Sequence, residues 1–383
     1  MKELSAAGVF TLLLCSSLTI MAGTVLAPSL NEIAVHLGFS ANPGWLITLP
    51  SLGVVVSAPL IGRLIDSKGP YTVLCWGLGP YALLGAAGAF FHNPYLAAAD
   101  RFLLGTATAA VQAAGTGLIA LFFSGRRRIQ ILAWQGMSIE LGGVVFLTAG
   151  GLLGEFGWQF PFCIYLTGFL CLLLVISFIA APESQKVVHS NGAVPEPVSA
   201  EIKLIIFFAA LSMILFFTAF LGLPQLLPEN FNFTESQTGI FMGLISLLAV
   251  AAAGLMPQVL RYISEGMMLA LGFGGFMAGL ALFGLAVNLP ALVLGAAAMG
   301  TGFGFTVPLL NHMAVEYSSN LNRGRNLGLF SMGIFGGQFL SSFIEMVSDD
   351  IKIVFLTGAA LALAASFTAW TSMPARKRYN RSQ

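Results

Sequence analysis

Charge is what this chain has least of. Asp, Glu, Lys and Arg together make up 9% of its 383 residues, against 57% hydrophobic residues. A soluble domain carries roughly 25% charged residues, so the chain cannot coat a water-facing surface of this length. That excludes a soluble globular domain. Cysteine is scarce too, with Cys15, Cys75, Cys163 and Cys171 all inside apolar runs. Their spacing fits neither a metal site nor a disulfide framework, and they are expected to be buried packing residues. No basic block with interleaved aromatics stands apart from the apolar runs, so nucleic acid is not an expected partner. A phosphate-binding loop of the Walker type, a nucleophile–base–orienter set and a cluster of metal ligands are also missing. No enzyme activity and no cofactor are expected. The run GTGFGF, Gly300 to Phe305, resembles a dinucleotide fingerprint only in its glycines. It lies within an apolar run with no strand before it, and Gly300 and Gly304, like Gly275 and Gly279, are expected at close helix contacts.

What is present is a series of apolar runs, each long enough to cross a ~30 Å hydrocarbon core as a helix. They fall at 6–30, 45–62, 71–91, 95–122, 130–152 and 159–181, then at 203–223, 238–258, 267–287, 290–314, 326–347 and 351–373. The first run is longer than the roughly 7–15-residue core of a signal sequence and is expected to stay as the first span. Between the two sets lies PESQKVVHSNGAVPEPVSAEIK, from Pro182 to Lys203, with the composition of an exposed linker. The expected organisation is an N-terminal six-helix bundle at 1–181, a cytoplasmic linker at 182–202, and a C-terminal six-helix bundle with a short basic tail at 203–383. The fold class is all-α, a membrane protein of 12 transmembrane helices.

Lys and Arg set the orientation. With the N-terminus inside, fifteen of the 17 basic residues fall on the inner side, Lys352 falls outside and Arg101 lies within a span. Glu32, Glu155, Glu229, Glu235, Asp349 and Asp350 then lie outside. Both termini are expected in the cytoplasm, and the compact loops fit a bacterial inner membrane. The halves echo each other: Pro59 and Arg63 match Pro257 and Arg261 at one common offset. Two parallel repeats of this kind place a substrate site between them near the midplane.

PLIGRLIDSKGP, residues 59–70, concentrates three charges in the inner turn between the second and third spans. One reading is a basic loop that fixes topology. The other uses Gly62 and Gly69 as a tight turn and sets Asp66 near the start of the third helix, where a carboxylate can meet free helix N–H groups. At this point the chain resembles the major facilitator superfamily, whose loop 2–3 motif is matched in register by Gly62, Asp66 and Gly69. Ser67 replaces the first basic residue of that motif, and Arg63 and Lys68 remain as nearby charges. RFLLGTATAA, Arg101 to Ala110, is similar to the family's fourth-span motif. GWQFPF, Gly157 to Phe162, is similar to the start of its sixth span, with Gln159 in place of arginine. Gly142 and Gly150-Gly151 fit the frame of the antiporter motif, although Phe146-Leu147 stand where its Gly-Pro pair belongs. The resemblance implies two pseudo-symmetric six-helix bundles, alternating access, and a cytoplasmic latch at Gly62, Arg63, Asp66, Lys68 and Gly69. The implied partners are a small-molecule substrate, protons and the lipid bilayer, with a single chain as the working unit.

An ionisable side chain at the centre of a membrane helix costs roughly 2.5–3.5 kcal/mol on insertion scales, so each one needs a cavity or a partner. In the fourth span Arg101, Thr108, Gln112 and Thr116 share one face, with Gly105 between them. Arg101 either reaches outward as an anchor or faces the pathway, and the continuing stripe favours the pathway. Asp100 points off that face and is expected to serve as a local partner for a charge or as a simple interface residue. Glu140 falls near the middle of the fifth span. It is either a neutral buried carboxyl or, with Arg101 as counterweight, the proton-coupling residue. In the second half Ser331, Gln338 and Ser342 share a face of the eleventh span, and Asn311 and His312 lie toward the inner end of the tenth. The substrate cavity is expected to include Thr108, Gln112, Thr116, Asn311, His312, Ser331 and Gln338. A lining rich in hydroxyls, amides and aromatics suits a drug-like compound or a self-made metabolite such as a siderophore. Export by proton antiport is the leading expectation. Proton-coupled uptake or uniport is the alternative, and a transport-inactive sensor or scaffold the remote one.

Overall fold

The computed structural model describes residues 4–181, 197–319 and 322–373. Most of the expected linker, together with Lys2 and the basic tail, lies outside the described residues. Helices make up the structure, with no strand among the described residues. In the first half these are α1 (Ala6–Thr24), α2 (Leu30–Leu37), α3 (Trp45–Lys68), α4 (Pro70–Ala87), α5 (Pro94–Phe122), α6 (Gly125–Gly154) and α7 (Thr167–Phe178). The second half contains α8 (Ala200–Phe231), α9 (Glu235–Val259), α10 (Glu265–Leu285), α11 (Leu289–Glu316), α12 (Arg323–Glu345) and α13 (Ile351–Ser372). Twelve stretches are long and apolar enough to cross a membrane, matching the expected spans in number and order.

The helices overrun the apolar runs because polar residues at their ends still make good helix and cap it. Asn93, Ser199, Ser264 and Asn288 each accept backbone N–H bonds in the first turn of α5, α8, α10 and α11. The first span runs on past a 3₁₀ turn at Ala27–Ser29, which contains Pro28, into α2. There Leu30, Ile33, Ala34 and Leu37 are buried at helical spacing while Asn31, Glu32, Val35 and His36 are exposed. The 160–166 segment before α7 is a 3₁₀ helix. Cys163 in it is exposed and Cys75 half-buried, so only Cys15 and Cys171 are the buried packing residues expected of all four.

The chain forms two compact units. The first holds α1 to α7 together with Phe233–Gly243, and the second holds α8 and everything from Leu244 onward. In the first unit α3 and α5 cross through Gly53 and Gly105: a methyl group on Gly105 would collide with the Pro50 carbonyl, and one on Gly53 with that of Phe102. Gly105→Ala should therefore push two helices apart and cost about 1–3 kcal/mol. A lowered denaturation temperature of the detergent-purified protein would report it. Gly62→Ala is the control, because nothing lies within 4 Å of its added carbon. In the second unit α10 and α11 meet along Gly275, Gly279 and Gly302, while Gly300 and Gly304 pack on α9 at Ile245, Ala249 and Ala252. The close contacts expected of those glycines are present. Phe216 and Phe303, 4.3 Å apart, fill the core between α8 and α11.

Candidate functional site

Arg101 is 1% exposed and fully engaged. Its Nε and Nη2 donate to Asp100 Oδ2 at 3.1 and 2.8 Å, Nη2 also donates to the Leu84 and Gly85 carbonyls at 3.2 Å, and Nη1 to the Tyr165 hydroxyl at 3.4 Å. The guanidinium lies over the rings of Phe162 and Tyr165, 5.4 Å from each centroid. Tyr165 in turn donates to the Ala22 carbonyl at 3.1 Å. One cation thus ties α5 to α4, to the 160–166 segment and, through Tyr165, to α1. Gly88 makes the room: a methyl there would sit 2.6 Å from Arg101 Nη2. This differs from the expected pathway-facing arginine. The helical wheel sets Asp100 and Arg101 on different faces, but the long arginine side chain folds back to its neighbour. Asp100 is the local charge partner.

Glu140 is fifteen residues after Gly125 and fourteen before Gly154, at the midpoint of α6. It is half-buried and makes no hydrogen bond or ion pair with another described residue, Arg101 included. Its surroundings follow from its face. Ser138 donates to the Leu13 carbonyl at 3.0 Å, and Gly142 abuts Ser17, so these two positions face α1. Glu140, two residues from each, points the other way. It shares a face with Val144, Leu147 and Gly151, three of the residues that pack on the start of α9. The glycines of the antiporter-like frame divide along the same line, Gly142 and Gly150 against α1 and Gly151 against Glu235 and Gly239.

The polar stripe on α5 is split. Thr108 is buried and donates to its own helix at the Leu104 carbonyl, 2.8 Å away, so its hydroxyl is satisfied within the helix. Thr116 and Gln112 are half-buried. Thr116 meets Gln135 of α6, whose Nε2 donates to Thr116 Oγ1 and Ser16 Oγ, each at 3.0 Å. This Ser16–Thr116–Gln135 network was not anticipated. Its signal was a lone amide in the apolar run around Trp134. In the second unit Gln338 is buried and Ser331 half-buried on α12. Asn311 and His312 are exposed, and His312 Nε2 lies 3.4 Å from Glu316 Oε2 one turn on.

The latch motif departs from expectation in one respect. α3 continues through Lys68, and Gly69 alone, at φ +82°, joins it to α4 at Pro70. Asp66 therefore lies in the last turn of α3 rather than at the start of α4, exposed with Arg63 and Lys68. Gly69 supplies the left-handed turn, and Pro70 suits a first helical position.

The family model of the Major Facilitator Superfamily matches residues 12–342. The chain belongs to the major facilitator superfamily. Within it, the chain is similar to the class H tetracycline resistance protein of Pasteurella multocida, at 27% identity over 162 residues, covering 42% of this chain and 40% of that protein. It is also similar to the gallate transporter of Pseudomonas putida, at 28% identity over 187 residues, covering 45% of this chain and 40% of that one. The chain thus spans well under half the length of either curated relative. The fold is that of the human organic anion transporter MFSD10 (TETRAN), with a TM-score of 0.70 at 20% identity, covering 95% of this chain and 99% of that one. Family and helices together make this an integral membrane protein.

Proposed function

We propose that this superfamily member is a secondary active transporter that exports a small organic compound in exchange for protons. It works by alternating access in a bacterial inner membrane, with both termini in the cytoplasm. The observation that carries the coupling is Glu140, a half-buried carboxyl at the centre of a membrane helix with no hydrogen-bond or ion-pair partner among the described residues. A charge left so is costly, and a carboxyl that can lose the charge by taking a proton avoids the cost. Arg101 enters this account as the residue that fixes α5 against its neighbours, not as the counterweight to Glu140.

Gln112, Thr116, Asn311, His312, Ser331 and Gln338 remain the residues proposed to meet substrate, with Thr108 supporting them from within α5. The relative named for tetracycline resistance supports export. The second reading is proton-coupled uptake or uniport of a small metabolite, and the relative named for gallate transport, whose name carries no direction, is compatible with it. Efflux of dyes and drugs from cells lacking their own pumps separates the two. Protein-dependent efflux that collapses on adding a protonophore is expected. Gradient-dependent accumulation instead of efflux would favour uptake.

A further inference from the structure

The start of α9 is capped from two directions. Within Thr234-Glu235-Ser236-Gln237, the Thr234 N–H donates to Gln237 Oε1 at 3.1 Å and the Gln237 N–H to Thr234 Oγ1 at 3.3 Å. This is a reciprocal capping box. The Ser236 N–H goes elsewhere, to Glu155 Oε1 at 3.3 Å, just past the end of α6. A carboxylate at this position also meets the positive end of the helix dipole. Hydrogen bonds from Thr234 and Ser236 hold the Glu155 carboxyl below the usual carboxylate range. No ionisable neighbour contributes to that shift, Glu235 on α9 and Glu32 and His36 on α2 included. His36 is stacked on Trp158 at 4.8 Å.

Beneath the cap the two helices approach backbone to backbone. A methyl on Gly239 would lie 2.5 Å from the Leu147 carbonyl, and one on Gly243 3.0 Å from Thr148 Oγ1. The same crossing carries three buried hydroxyls, of Ser29, Ser236 and Thr238, without a hydrogen-bond partner among the described residues. An unpartnered buried hydroxyl weakens a contact, so the crossing is close but not fully satisfied. α9 itself is a continuous helix whose first turns belong to the first unit and whose remainder belongs to the second.

We propose that Glu155 is a charge latch that holds the first turns of α9 on α6. It positions a helix and carries no substrate or proton. Its place in a transport cycle rests on the transporter reading above, but the latch can be tested without any substrate. The sign follows from the lowered carboxyl: the latch is complete above the ordinary carboxylate value of 4.5 and is lost as the pH falls through the value in the folded protein.

The experiment is hydrogen–deuterium exchange of the full chain in lipid nanodiscs, following the amides of Thr238 to Gly243 and correcting for the intrinsic pH dependence of exchange. Glu155→Gln keeps size and removes charge. At neutral pH it should raise exchange of these amides roughly two- to fivefold, the size of effect that a charge has at a helix terminus. Wild-type protection should stay flat down to the carboxylate range and then fall toward that of the variant, whose own protection should not change with pH. Equal protection in the two proteins at neutral pH, or the same acid dependence in both, would overturn the latch. Either result would leave the transporter reading untouched.

Discussion

Arg101→Leu is expected to leave little folded protein. The substitution strands Asp100, 4% exposed, without its cation, and removes the donors to the Leu84 and Gly85 carbonyls. Removing one partner of a buried ion pair costs about 3–5 kcal/mol, a large share of the 5–15 kcal/mol that holds a typical domain together. Arg101→Lys keeps the charge but not the fork that reaches Asp100, two carbonyls and Tyr165 at once, and should fall between wild type and leucine. Thermal unfolding of the detergent-purified variants, read by loss of the monodisperse peak on size-exclusion chromatography, gives the ranking. A stable Arg101→Leu protein that had merely lost transport would return this arginine to the pathway.

Glu140→Gln should do the opposite, keeping the fold and losing the coupling. The side chain is half-buried and has no hydrogen-bond or ion-pair partner among the described residues, so a neutral residue of the same shape breaks no such bond. Transport against a gradient should fall by a factor of roughly 5–150, the range spanned by coupling free energies of about 1–3 kcal/mol. Substrate affinity should change much less, because the proposed substrate-contacting residues are intact. A Glu140→Asp protein, ionisable but one methylene shorter, should recover part of the rate. Normal gradient-driven transport by Glu140→Gln would remove Glu140 from the coupling role.

Hydropathy made the spans legible because a membrane helix must bury a long apolar run and satisfy its own backbone. It missed α2 and the polar ends of α3 and α8, because helices continue into the interface wherever caps and amphipathic spacing allow. Glycine-rich motifs pointed correctly to close packing, yet not to the partner: Gly150 and Gly151 are adjacent in sequence and abut α1 and α9 respectively. The same limit applied to Arg101. A helical wheel shows which residues share a face, whereas the ring of partners around this guanidinium comes from three other segments. Glu140 was legible as a central acid, and its face was not, since that depends on which neighbour Ser138 and Gly142 choose. Gln135 shows the reverse case, a residue visible in the sequence whose importance emerged only with Ser16 and Thr116 beside it.

The most direct test of proton antiport is a pH-gradient measurement in everted membrane vesicles. Vesicles acidified inside by respiration are given a compound that the protein exports, and the interior pH is followed with a quenched dye. Wild-type protein should dissipate the gradient when the compound is added, and vesicles carrying Glu140→Gln should not. Export without any change in interior pH, or equal dissipation by the variant, would contradict the account.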